Sequence, residues 1–97
     1  MTIQVEHHLA KQEAKHRIEE LIENCRQEYK AELQHLVVDW TDDTAHIRLQ
    51  ARGYSTAGSL GIKDKVVDLD FYLPFLLQVF GKKIKSVIHD RIEQSLA

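Results

Sequence analysis

Thr44-Ala45-His46-Ile47-Arg48-Leu49-Gln50-Ala51-Arg52 alternates without a break. Ala45, Ile47, Leu49 and Ala51 fall on one side of an extended chain, and His46, Arg48, Gln50 and Arg52 on the other. An antiparallel strand with one face on a core and one face in water needs this pattern. Upstream, Leu36, Val38 and Trp40 recur at every second residue. Thr41-Asp42-Asp43 between the two runs reads as a turn, because Asp side chains bond readily to nearby backbone amides. Downstream, Gly53-Tyr54-Ser55-Thr56 reads as the next connection, and Gly58, Leu60 and Ile62 alternate toward the core. Lys63-Asp64-Lys65 is a tight polar break. Val67, Leu69, Phe71 and Leu73 then form the inner face of a last strand, with Asp68, Asp70 and Tyr72 outside. Four sequential strands with short turns predict an antiparallel meander.

Two helical segments flank it. In Leu9–Ala31 the apolar residues Ala14, Ile18, Leu21, Ile22, Cys25 and Tyr29 fall at helical spacing and make one stripe, opposite Lys11, Glu13, Lys15, Glu19, Glu23 and Arg26. Pro74 ends the last strand, since it cannot donate to a ladder and suits the first turn of a helix. The second helix is expected from about Phe75 to Gln94, with Leu77, Phe80, Ile84, Val87, Ile88 and Ile92 as its buried stripe. Gly81 falls inside it and weakens it by roughly 1 kcal/mol relative to alanine. At the start of the chain, Thr2–Glu6 alternates, with Ile3 and Val5 on one side, and reads as a short strand whose place in the sheet is open. The order is β-α-β-β-β-β-α. The fold class is α+β, with an antiparallel sheet and two long helices on its one apolar face.

Composition bounds the rest. Ninety-seven residues make a single domain, 1–97, with one modest core. The chain is 43% hydrophobic and 29% charged, with a formal net charge of −2. An acidic balance disfavours a nucleic-acid partner, because such domains are usually basic. One cysteine, Cys25, excludes an internal disulfide and suits a reducing compartment. The first residues become charged too soon for a signal peptide, and the apolar cluster Leu73–Phe80 is too short to span a bilayer, so a cytoplasmic protein is expected.

Each candidate site has a plainer competitor. The six histidines, His7, His8, His16, His35, His46 and His89, lack the i,i+4 spacing of an HExxH site, and no Cys-x-x-Cys accompanies them, so solvated surface histidines are expected and no metal. Asp68 and Asp70 form a carboxylate pair, about 7 Å apart by strand geometry. They lie on the predicted outer face, where a solubilising role near Lys63 or Arg48 is the better reading. Cys25 lies on the helical stripe and reads as a small buried hydrophobe. The glycines match no phosphate loop, and no cofactor is expected. Lys82, Lys83 and Lys85 follow the Leu73–Phe80 cluster, but three lysines are few for a helix that rests on lipid. Phe71, Tyr72, Leu73, Phe75, Leu76 and Leu77 are more apolar residues than one helix face can bury. Tyr72 and Leu76 are therefore expected in an exposed apolar patch, which would mark an interface.

His7-His8-Leu9 before the first helix, Ala14 within it, Trp40 followed by Asp42-Asp43, Gly53 and Gly58, and Leu73-Pro74-Phe75-Leu76-Leu77 ahead of Lys83-Ile84 carry a resemblance. Along nearly its whole length the chain resembles the small family of polyhydroxyalkanoic acid system proteins, also called granule-region proteins. The resemblance implies a link to bacterial storage-polyester granules and transfers no activity and no catalytic residue. Within its motif His7 is the one polar position to test, either as a site or as a structural group at the strand-to-helix junction. The element order is also similar to a shortened helix-grip (START-like) domain, a likeness of fold alone.

The expected function is thus a non-enzymatic accessory or binding protein of polyhydroxyalkanoate metabolism. It would act through an apolar surface or cleft formed by Trp40, Phe71, Leu73, Phe75, Leu76 and Phe80. Its partners would be the granule surface, granule proteins or an apolar small ligand, and a homodimer would extend its small core. A small carrier or enzyme for hydroxyacyl or lipid-like ligands is the second expectation, with His7 or Tyr72 as its only polar nominees. A structural oligomerisation domain is the third.

Overall fold

The computed structural model describes residues 1–97, the side chain of Leu76 excepted. The chain runs through β1 (Thr2–Glu6), α1 (Lys11–Glu28), β2 (Leu33–Thr41), β3 (Thr44–Ala51), β4 (Tyr54–Ile62), β5 (Val66–Phe71), a 3₁₀ segment (Phe75–Phe80) and α2 (Gly81–Leu96). The α+β class and the element order agree with the sequence reading.

The strands form one antiparallel sheet in the order β1-β5-β4-β3-β2. β2 to β5 are the expected meander. β1, which the sequence left unplaced, pairs with β5 at one edge, with Ile3 opposite Leu69 and Val5 opposite Val67. The alternation explains this register. One row of inward side chains, Trp40, Ala45, Leu60, Leu69 and Ile3, crosses all five strands. A slip of one residue in any strand would turn its whole apolar set toward water.

Tight hairpins hold the strands in place. Asp42 takes φ 54° between β2 and β3. Between β3 and β4, Arg52 and Gly53 both have positive φ, 50° and 81°, the signature of a two-residue type I′ turn. The turn is therefore shorter than the expected connection, and Tyr54-Ser55-Thr56 belong to β4, with Tyr54 opposite Ala51.

Both helices lie on the same face. Ala14 and Ile18 of α1 join Ile92 and Leu96 of α2 and the inner residues Ile3, Val5, Ala45, Leu60, Ile62 and Val67 in one buried core. Arg17 Nη1 donates to the carbonyls of Ser95 and Ala97, at 3.2 and 3.0 Å, and Arg91 Nη2 lies 2.9 Å from Glu28 Oε2. The two helices therefore run in opposite directions. Cys25 is half-buried between them rather than fully buried. Its Sγ accepts a 3.7 Å contact from Arg91, and burial pushes the thiol above its ordinary pKa.

The second helix departs from expectation. After Pro74 the chain winds as a 3₁₀ helix, with the Leu77 N–H donating to the Pro74 carbonyl at 2.8 Å, and α-helix begins only at Gly81. Gly81 is thus at a junction, where a Cβ would come 3.3 Å from Met1 Cε. The change of pitch shifts the buried stripe. Phe80 is 56% exposed and Val87 53%, although both were expected inside. The inward row is Ile84, Ile88, Ile92 and Leu96, a strict four-residue repeat.

Two outcomes follow for stability. A Cβ on Gly58 would sit 2.5 Å from the Asp70 carbonyl oxygen and 2.6 Å from Phe71 Cβ. Gly58→Ala should force β4 and β5 apart and lower stability by ~1–3 kcal/mol, read as a lower urea midpoint. The hydrogen bond from Arg91 holds Glu28 below its ordinary pKa. The pair's stabilisation is then complete above that ordinary value and is lost as pH falls through the lower, folded value. Glu28→Gln should flatten this acid limb of the midpoint–pH curve, by a small amount because the pair is exposed.

Candidate functional site

Strand lengths generate the site. β5 pairs with β4 only from Gly58 to Ile62, so Tyr54–Ala57 overhang with β3 as their only ladder partner. The chain leaving β5 folds back over this overhang. The Tyr72 N–H donates to the Ala57 carbonyl at 3.0 Å, and the Thr56 hydroxyl donates to the Tyr72 carbonyl. The 3₁₀ segment and the first turns of α2 then pass above the strands. Between them is a half-open cavity of about 480 Å³. Ile47, Leu49, Ala51 and Gly58 form its floor, Leu69, Phe71 and Leu73 one wall, and Leu77, Ile84 and Ile88 its roof. The small side chain of Ala51 leaves room in the floor that a larger residue would fill. Polar side chains stand at the lining only at Arg52, Tyr54, Ser55, Thr56 and Tyr72, and no His, Cys, Asp or Glu is among the described lining residues.

Beside the cavity the 3₁₀ segment presents a second apolar feature. Leu77 faces inward, while Phe75 is 78% exposed and Val79 80% exposed. Phe80 and Tyr72 are also exposed, and the exposed Lys82, Lys83 and Lys85 follow in α2.

The structure therefore divides the residues singled out in the sequence. Phe71, Tyr72 and Leu73 line the cavity. Phe75 and Phe80 belong to the exposed surface. The side chain of Leu76 lies outside the described residues. Trp40 is on β2, three strands from Phe71 or ~14 Å by strand spacing, half-buried against the core with Lys15 Nζ 4.9 Å from its ring centre. The periodicity predicts Ile47, Leu49, Ile84 and Ile88 in the core and Arg52 on the outer face of β3, whereas Arg52 falls in the turn after that strand. Only the overhang of β4 past β5 turns their positions into a cavity, and no local pattern signals it.

His7 is 3% exposed and sits at the junction of β1 and α1. Its Nδ1 accepts from the Leu9 N–H at 3.2 Å, so Nε2 carries the proton and donates to the Lys63 carbonyl at 2.8 Å. With both ring nitrogens engaged, the imidazole ties the start of α1 to the β4–β5 turn, where His7 N–H also bonds the Lys65 carbonyl. Asp68 pairs with Lys63 and Asp70 accepts from Thr2 Oγ1, so both carboxylates serve the sheet. No group of three or more His, Cys, Asp and Glu among the described residues could hold a metal ion. Among the described residues no helix is long and apolar enough to cross a membrane.

The family model described as "Putative polyhydroxyalkanoic acid system protein" matches residues 1–96. No curated protein and no solved structure matches the chain.

His7→Phe should leave the Leu9 N–H and the Lys63 carbonyl without partners in a buried setting. A loss of ~1–3 kcal/mol is expected from equilibrium denaturation, with the cavity, at the other end of the strands, unchanged in shape.

Proposed function

We propose a function on one premise: the chain belongs to the family of polyhydroxyalkanoic acid system proteins. It is a non-enzymatic accessory module that adsorbs on the surface of storage-polyester granules. The observation that supports this reading is the exposed apolar run of Tyr72 and, on the 3₁₀ segment, Phe75, Val79 and Phe80, followed by three exposed lysines. Large apolar side chains held in water gain ~1.5–3 kcal/mol each when an apolar phase covers them. A polyester surface offers that phase, and an anionic coat would add attraction to Lys82, Lys83 and Lys85. The geometry suits adsorption rather than chemistry, because the run presents carbon and no convergent acid, base or nucleophile.

Co-sedimentation with purified granules, with and without their phospholipid and protein coat and over a salt series, tests the reading. The protein should pellet with stripped granules and remain bound at high salt. The variant F75D/V79D should bind ~tenfold or more weakly, by the burial lost at two sites, and should keep the thermal melt of the parent because both side chains are exposed. Failure of the parent protein to pellet with either preparation overturns the proposal. A tight dimer that is broken by the same variant would point instead to an oligomerisation domain.

A further inference from the structure

The cavity beside the exposed run shares only Tyr72 with it, and granule adsorption does not use its interior. Its volume, about 480 Å³, lies in the range of small-molecule sites, ~300–1,000 Å³. At the ~30 Å³ that a water-sized group occupies, 480 Å³ holds roughly sixteen such groups. A ten-carbon chain enters with space to spare. The walls are aliphatic and aromatic carbon through the depth of the cavity, so a polar molecule would lose its hydration there without replacement bonds.

The mouth differs from the depth. Arg52 stands in the β3–β4 turn at the end of the cavity and is the one charged residue in the lining. Its nearest carboxylate is Glu32 Oε1, 4.0 Å from Nη2, too far for a hydrogen bond. Most of its side chain is in water, with 76% exposure. The guanidinium thus keeps donors free for a carboxylate, which it can bind in bidentate fashion. A carbon-lined slot with an exposed arginine in the turn at its end, its guanidinium held only at 4.0 Å from Glu32 and able to swing toward the opening, is complementary in charge and polarity to an apolar chain with one anionic head. A neutral hydrocarbon would leave the cation unused, and a double-chain lipid would exceed the space.

We infer that this cavity binds a single aliphatic chain carrying a terminal carboxylate, of medium length, with the chain between β3–β4 and α2 and the carboxylate at Arg52. The ester and hydroxy acid chemistry of a storage polyester gives such molecules on hydrolysis. The inference does not require that source, and it stands or falls apart from adsorption on granules.

The test is titration of the whole protein with decanoate below its micelle concentration, followed by amide chemical-shift mapping and calorimetry, with decanol as the uncharged control. Saturable shifts should appear at Leu49, Ala51, Gly58, Phe71 and Ile88. Ala51→Phe should fill the floor and abolish them. Arg52→Asn creates an Asn-Gly pair, which a type I′ turn favours, so the hairpin is kept while the charge is lost. It should weaken decanoate roughly tenfold and leave decanol unchanged. No saturable binding of decanoate, or shifts confined to Phe75–Phe80, would overturn the inference. Equal decanoate affinity in Arg52→Asn would overturn the assignment of the carboxylate to Arg52. Should Ala51→Phe fail to fold, the parent shift map and Arg52→Asn still decide the question.

Discussion

A sheet with one apolar face has to be covered, and here the cover only just spans the sheet. Five strands at ~4.8 Å make a width of about 24 Å, and two helices of ~10–12 Å diameter cover about 20–24 Å. The strands also differ in length, from five residues in β1 to nine in β2 and β4. Ala14 and Ile18 of α1 share one buried core with Ile92 of α2 and with Leu60 and Ile3 of the sheet. Away from that core the inner face is only half covered, and Ile47, Leu49, Leu69 and Phe71 remain partly open. The cavity lies where β4 overhangs β5.

The closure at the β1 edge makes the arrangement hold. The amino group of Met1 donates to the Phe71 carbonyl at 2.7 Å, and the Phe71 N–H returns a bond to the Met1 carbonyl at 2.9 Å. These contacts anchor the end of β5 at the point where the chain must turn. Gly58 lets β4 approach that point closely, with no side chain between its backbone and Phe71. Pro74 then stops the strand, and the 3₁₀ turn lifts the chain from the sheet. The exposed Phe75 and Val79 and the sheltered Leu77 come from the same six residues, which is why the exposed surface and the cavity are neighbours.

The polar candidates went to structural duty. His7 joins three backbone groups of a junction through its ring and its own amide. Asp68 and Asp70 hold neighbours across the strand edge, and Arg91 bridges the two helices through Glu28 and Cys25. What remains for function is apolar, namely an exposed aromatic turn and a carbon-lined slot, with Arg52 as the charged group at its rim.

The amino-acid sequence by itself determined the meander, the two amphipathic helices, the α+β class and the inward rows, because strict period-two and period-3.6 patterns constrain each segment locally. His46, Arg48 and Gln50 could only face water once Ala45, Ile47 and Leu49 faced the core. The excess of apolar residues from Phe71 to Leu77 was also legible as more than one face could bury. The edge taken by β1, the 3₁₀ winding of Phe75–Phe80 and the exposure of Phe80 and Val87 were decided in tertiary structure. So were the half-covered state of Leu49 and Ile88 and the placement of Arg52 at a cavity mouth. These depend on which strands outrun their partners and on how far two helices reach across five strands. Such quantities are set by long-range pairing, and no run of neighbouring residues encodes them.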